Sequence, residues 1–184
     1  MRGRAVVALL VVLTPALADV TATDRAGDPL PVGALARLGS TRFRNHWGAF
    51  ATAYSADGKH LASLSYHEAS IASVQTGARE QSFGKLEVGF EPRVAWSPDG
   101  TLVAFATHRE LLVGKAVGGE AWRWRARHDS GTPEFIRALA WAPDSSRLAV
   151  ATTHAPTFKT AVHGMWMFDR AGTPAHPFAT IDGA

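Results

Sequence analysis

One short phrase occurs three times along the chain: Ala53-Tyr54-Ser55-Ala56-Asp57-Gly58, Ala95-Trp96-Ser97-Pro98-Asp99-Gly100 and Ala140-Trp141-Ala142-Pro143-Asp144-Ser145. The copies are about 42 and 45 residues apart, an interval that fits one four-stranded blade per repeat. A chain with this period is built from copies of one supersecondary unit, each needing its neighbours to bury its apolar faces. The repeated residues are scaffold, and none of them is a reaction centre.

Each copy predicts strand, tight turn, strand. Alternation in Arg93-Val94-Ala95-Trp96 and in Leu102-Val103-Ala104-Phe105 favours strands. Between them, Pro-Asp-Gly supplies a fixed φ, a side chain that caps its own turn, and a glycine free to take positive φ. Leu61-Ala62, Val103-Ala104 and Leu148-Ala149 fall at matching offsets beyond the turn. The third copy has Ser145 where glycine is expected, which predicts a different turn geometry there. A third apolar run follows in each copy (Ile71 to Val74, Leu111 to Val113, Met165 to Phe168), then a turn at Gly77, Gly118-Gly119 or Gly172. Closing runs hold Phe83, Trp122 with Trp124, and Phe178 with Ile181. The expected fold class is all-β, four-stranded antiparallel blades of a β-propeller.

These phrases resemble the WD40 family and its relatives, the TolB-type periplasmic propellers, in which Ser-Pro-Asp-Gly between the first two strands recurs. The resemblance covers roughly Arg37 to Ala184. Met165-Trp166-Met167-Phe168-Asp169 followed by Ala171-Gly172 is similar to the third strand that names the WD40 family, with Phe168-Asp169 in place of Trp-Asp. Ala72-Ser73-Val74-Gln75 and Leu112-Val113-Gly114-Lys115 lack that dipeptide, and Val94 to Gly100 looks closer to the TolB-type variant. The resemblance implies a rigid propeller that binds through its loops.

About three blades are present, over residues 41–86, 87–129 and 130–184, whereas a closed propeller uses four to eight. An open arc leaves apolar faces and strand edges bare. The expectation is a partial propeller, the front portion of a longer one, with self-association to close the ring as the alternative. Residues 1–18 carry the three parts of a secretory signal peptide: basic Met1-Arg2-Gly3-Arg4, apolar Ala5 to Leu13, and small-x-small Ala16-Leu17-Ala18. The apolar run is too short for a comfortable membrane span, so the expected location is periplasmic or secreted. Residues 19–40, with Asp28-Pro29-Leu30-Pro31, predict an extended linker. Cysteine is absent, so no disulfide framework and no lipoprotein anchor can form.

Nineteen basic and sixteen acidic residues give a formal charge of +3, and removal of Arg2 and Arg4 with the signal leaves about +1. That balance gives no reason to expect a nucleic acid partner. Trp122-Arg123-Trp124-Arg125-Ala126-Arg127 alternates, putting the indoles on one strand face and the arginines on the other. The stripe is either inter-blade packing with a solvated rim or a carbohydrate or polyanion surface. His67, His108 and His154 follow their turn aspartates by ten, nine and ten residues, where second strands should end at one mouth of the array. They are strand-end consensus residues or part of a polar, pH-sensitive partner surface, and their divergence in space argues against a zinc site. The third copy carries an additional stretch, Ala155 to Gly164, between its second and third strands, and insertions of this kind often bind. Phe158 and Lys159 are its candidate contacts, and the alternative is a longer hairpin with no binding role.

No nucleophile elbow, phosphate loop, His-Glu-x-x-His or dinucleotide fingerprint occurs. No cofactor, metal ligand set or catalytic residue is expected. The sequence therefore points to an exported, noncatalytic module that recognises a protein partner. The competing readings are an accessory propeller of a larger exported enzyme of the prolyl-peptidase kind and the carbohydrate or polyanion binder.

Overall fold

A computed structural model describes residues 22–24, 27–38, 43, 48–66, 68–87, 91–127, 134–157 and 160–182. The chain divides into two compact units, Met1–Thr41 and Arg42–Ala184. In the first, residues 22–30 fold back on themselves: Thr23 bridges Pro29, and Asp24 accepts from the Asp28 backbone at 2.9 Å and pairs with Arg37 at 2.9 Å. Residues 1–18, the expected signal segment, lie outside the described residues.

The second unit is all-β. Its twelve described strands form three four-stranded antiparallel sheets, each ordered as the chain runs. The first holds β1 (Ala51–Tyr54), β2 (His60–Leu64), β3 (Ala69–Ser73) and β4 (Arg79–Ser82). The second holds β5 (Arg93–Trp96), β6 (Leu102–Ala106), β7 (Glu110–Lys115) and β8 (Gly119–Arg125). The third holds β9 (Phe135–Trp141), β10 (Arg147–Thr157), β11 (Thr160–Asp169) and β12 (Pro174–Asp182). All three sheets are blade-like. The extra stretch in the third copy is strand, since Thr153 faces His163, His154 faces Val162 and Thr157 faces Thr160. Of the two readings of this stretch, the longer hairpin is the one the pairing shows, and Phe158 and Lys159 lie outside the described residues.

The repeated phrase closes the first hairpin of every sheet with one geometry. Gly58 N–H donates to Ser55 O, Gly100 to Ser97 O and Ser145 to Ala142 O, at 2.8 to 2.9 Å. Asp57, Asp99 and Asp144 accept from the backbone two residues on, at 3.0 Å. The predicted difference at the third turn is wrong: Ser145 takes φ 61°, beside 69° at Gly58 and Gly100. A non-glycine residue is uncommon in this region. Here Ser145 is buried, and its Oγ accepts from the Asp99 N–H of the second sheet at 3.0 Å. Arg170 completes the junction, donating to Ser145 O at 3.0 Å and to Asp99 Oδ2 at 2.7 Å.

Two cores lie between the sheets. Ala62, Leu64, Ala69, Ile71 and Phe83 of the first meet Val103, Phe105 and Leu112 of the second, flanked by Val94 and Trp96. Ala104, Ala106, Leu111 and Val113 on the other face of the second sheet meet Leu148, Val150 and Phe168 of the third, flanked by Trp141 and Trp166. The first and second sheets thus each meet the next sheet through a forward face, and the second and third meet the preceding one through a back face. The repeated tryptophan ties these layers. Trp96 donates its indole N–H to Ala53 O at 2.9 Å, and Trp141 donates to Ala95 O at 3.1 Å. The Ala-Trp pair therefore has one role per letter: alanine seats the following indole, and tryptophan reaches the preceding sheet.

Candidate functional site

Of the five sequence-predicted contact residues, His67, Phe158 and Lys159 lie outside the described residues. His108 sits in the turn joining β6 to β7, where Thr107 N–H closes on Glu110 O at 2.8 Å. Its ring stacks on Phe135 at 5.8 Å, and its carbonyl accepts from Ile136 N–H at 2.7 Å. The guanidinium groups of Arg109 and Arg137 lie 5.5 and 5.7 Å from the same Phe135 ring. Burial and the neighbouring Arg109 charge both lower the His108 pKa. His154 occupies the interior of β10 and is buried, because β10 continues past the point where β2 and β6 stop. The two described histidines thus occupy different settings, one in a turn and one within a strand.

In the third sheet the strand-end hydroxyl gains a second partner. Ser65 and Thr107 bond the carbonyls of Glu68 and Glu110 within their own turns. Thr152, at the same register, keeps the equivalent contact, 3.3 Å to Gly164 O, and also donates to Glu134 Oε1, which lies 3.4 Å from Trp166 Nε1. Glu134 is 4% exposed and its Oε2 is buried without a hydrogen-bond partner. Gly164 makes room for the cluster: a Cβ there would lie 2.8 Å from Thr152 Oγ1 and 3.0 Å from Glu134 Oε1. Sequence reasoning missed Glu134. The only signal was a carboxylate immediately ahead of an apolar strand.

The Trp-Arg stripe on β8 resolves into packing and ion pairs. Trp122 stacks on Phe168 at 5.3 Å and donates to Arg170 O at 3.1 Å, while Trp124 lies 5.5 Å from Trp166. Arg123 pairs with Glu110 and Glu120, and Arg125 with Glu87. Hydrogen bonding to Glu120 leads the causes that raise the Arg123 pKa. Arg123 and Arg125 thus already have carboxylate partners.

The forward face of the third sheet is the most distinctive surface. In the first sheet that face is Ala62, Leu64, Ala69 and Ile71, and in the second Ala104, Ala106, Leu111 and Val113, all at most 1% exposed. The strand register puts Ala149, Ala151, Met165 and Met167 at the matching places in the third. Met165 is 40% exposed, and Ala138, Ala140 and Ala175 are exposed beside it. At the end nearer the hairpin tip the face opens into a shallow pocket lined by Arg137, Thr153, His163 and Met165. Thr153 Oγ1 and His163 Nδ1 are 3.2 Å apart there. An apolar floor with a polar upper rim suits an apolar, sheet-shaped partner better than a small charged ligand.

Among the described residues, no three His, Asp or Glu side chains are grouped to hold a metal ion, and no helix is long and apolar enough to cross a membrane. No family model matches the chain, and no curated protein matches it. Solved structures do. A Kuenenia stuttgartiensis hydrazine synthase chain aligns with a TM-score of 0.52 at 17% identity, covering 73% of this chain and 37% of that one. A chain from the complex of the fission yeast SREBP-SCAP binding domains aligns with a TM-score of 0.47 at 9% identity, covering 80% of this chain and 40% of that one. The chain thus spans well under half of either. At this identity the first likeness speaks for the arrangement of blade-like sheets alone.

Proposed function

We propose that this chain is a noncatalytic, exported propeller-type repeat module whose work is protein–protein contact, made through the forward face of its third blade and the long hairpin above it. The observation that carries the reading is the partly exposed Ala-Met face, with Met165 exposed and Ala149, Ala151 and Met167 half-buried, because the two faces in register with it are fully buried in inter-sheet cores. A contiguous apolar face on a rigid sheet is a surface for a partner. Export rests on the charged, apolar, small-residue order of residues 1–18. The WD40 and TolB-type likeness of the turns accords with a scaffold that binds rather than reacts.

The test is site-specific photo-crosslinking in cells of the source organism. Benzoyl-phenylalanine at Met165 is expected to capture one discrete protein, and the same group at the exposed Glu120 is expected to capture none. No adduct at Met165, or equal capture at both positions, overturns the reading.

A further inference from the structure

The outer rim of the third sheet departs from the other two at one repeated place. Glu68, Glu110 and Gly164 share a register, each immediately ahead of the residue that pairs with the second strand: Ala69 with Leu64, Leu111 with Ala106 and Met165 with Ala151. In the first two sheets the glutamate ion-pairs with an arginine of the outer strand, Glu68 with Arg79 at 2.9 Å and Glu110 with Arg123 at 3.0 Å. The third sheet has neither member of the pair. Glycine replaces the glutamate, and β12 contains no lysine, arginine or glutamate. Thr180 pairs with Gly164 where Arg125 pairs with Glu110.

An outer strand turns the peptide groups of every second residue away from its sheet, which makes it a template for another strand unless charge or proline blunts it. β4 carries Arg79 and Glu80, and β8 carries Glu120, Arg123 and Arg125. β12 is nine residues long against their four and seven, and its two prolines, Pro174 and Pro177, lie in its first half. Beyond them, Phe178-Ala179-Thr180-Ile181 has neither charge nor proline and is rich in strand formers. Its register to β11 is unbroken, from Met165 with Ala179 to Val162 with Asp182. β4 and β8 each remain the outermost strand of a four-stranded sheet although another sheet follows, so a sheet following β12 would not cover its outer edge.

We infer that residues 178–182 of β12 pair antiparallel with the same residues of a second copy, joining two third sheets rim to rim. Only alternate residues offer outward peptide groups, so a two-fold axis between identical strands runs through a residue and not between two. An axis at Thr180 uses the whole segment without involving Pro177, which has no N–H to donate. It sets Ala179 against Ile181 and Phe178 against Asp182, so the one charge never meets its own copy. Thr180 meets Thr180, a favourable cross-strand pair. A second copy fits this edge because nothing along residues 178–181 repels an identical strand or selects a charged one. The pairing is separate from the forward-face contact proposed above.

The chain has no cysteine, so single cysteines report the pairing. Opposed Cα atoms of an antiparallel pair lie about 4.5–5.5 Å apart, within disulfide reach. Thr180→Cys in the full chain is expected to give a disulfide-linked dimer under mild oxidation, and Ala175→Cys, also on β12, is expected to stay monomeric on a non-reducing gel. In sedimentation equilibrium the native chain is expected to populate a dimer. Thr180→Arg, which installs the residue β8 has at this register, should weaken that dimer by about tenfold or more and leave the circular dichroism spectrum unchanged. Should Thr180→Arg fail to fold, the cysteine pair decides alone. A native chain that is monomeric at every concentration, a dimer that a folded Thr180→Arg leaves intact, or equal crosslinking at the two cysteines overturns the inference.

Discussion

Ser145 shows how a departure from the repeat is stabilised. Its φ of 61° is strained for a residue with a Cβ, and the bond from Asp99 N–H to its Oγ offsets that strain. Ser145→Ala keeps the strain and loses the acceptor, so it should destabilise the chain by about 1–2 kcal/mol in urea unfolding. Ser145→Gly relieves one term while losing the other and should lie closer to the parent. Asp99 across the same junction is pulled two ways. Burial alone would raise its carboxyl, but bonds from Ser97, the Thr101 backbone and Arg170 outweigh that and hold it well below 3.8. A depressed folded pKa means stability that is full above 3.8 and lost as pH falls below it. Asp99→Asn should therefore flatten the acid limb of thermal stability below pH 3.8, and an unchanged limb would remove Asp99 from the account. None of this was legible at Ser145 itself, because its partner lies 46 residues away in sequence.

At the scale of elements, the hairpins were readable because their signals are local: alternation, Pro-Asp-Gly and the aspartate that caps its own turn. The fit between neighbouring sheets was not. Gly114 looks like a weak point in β7 until Phe83 of the first sheet is seen against it, where any Cβ would overlap the ring. Gly114→Ala should cost about 1–3 kcal/mol through forced displacement of Phe83, and full stability would show that this contact is looser than described. The long hairpin was one of two readings the sequence offered, and what decides for it is the pairing of β10 with β11, which the Ala-Pro-Thr start does not announce. The turn from β6 to β7 adds a pH signature. His108 is lowered from 6.5 by burial first and then by Arg109, so the unfolded chain takes up a proton before the folded one does. Stability should fall as pH drops below 6.5, and His108→Gln should remove that slope without altering the limb near pH 3.8. The stacking of His108 on Phe135 that underlies the effect depends on β9 arriving beside the turn, which no local pattern in the sequence announces.

Across the whole molecule, one arrangement is used twice and then left open. Leu111 and Met165 occupy the same register in successive sheets, yet the first is fully buried and the second is 40% exposed. Lysine should separate them: Leu111→Lys buries an unpaired charge and should abolish folding or cost more than about 3 kcal/mol. Met165→Lys should leave stability nearly unchanged and reduce self-association at high concentration. The repeat period made the number of units legible, and the candidate surface was not, because exposure of an Ala-Met face depends on what lies beyond it. The central claim is that an indole-to-carbonyl bond joins each sheet to the one before it. Equilibrium urea unfolding of Trp96→Phe, Trp141→Phe and Tyr54→Phe tests it most directly. The account predicts a loss of about 1–2 kcal/mol for each tryptophan, whose indole bond is removed, and no loss for the exposed Tyr54. Equal effects at all three positions, or none at Trp96 and Trp141, would contradict it.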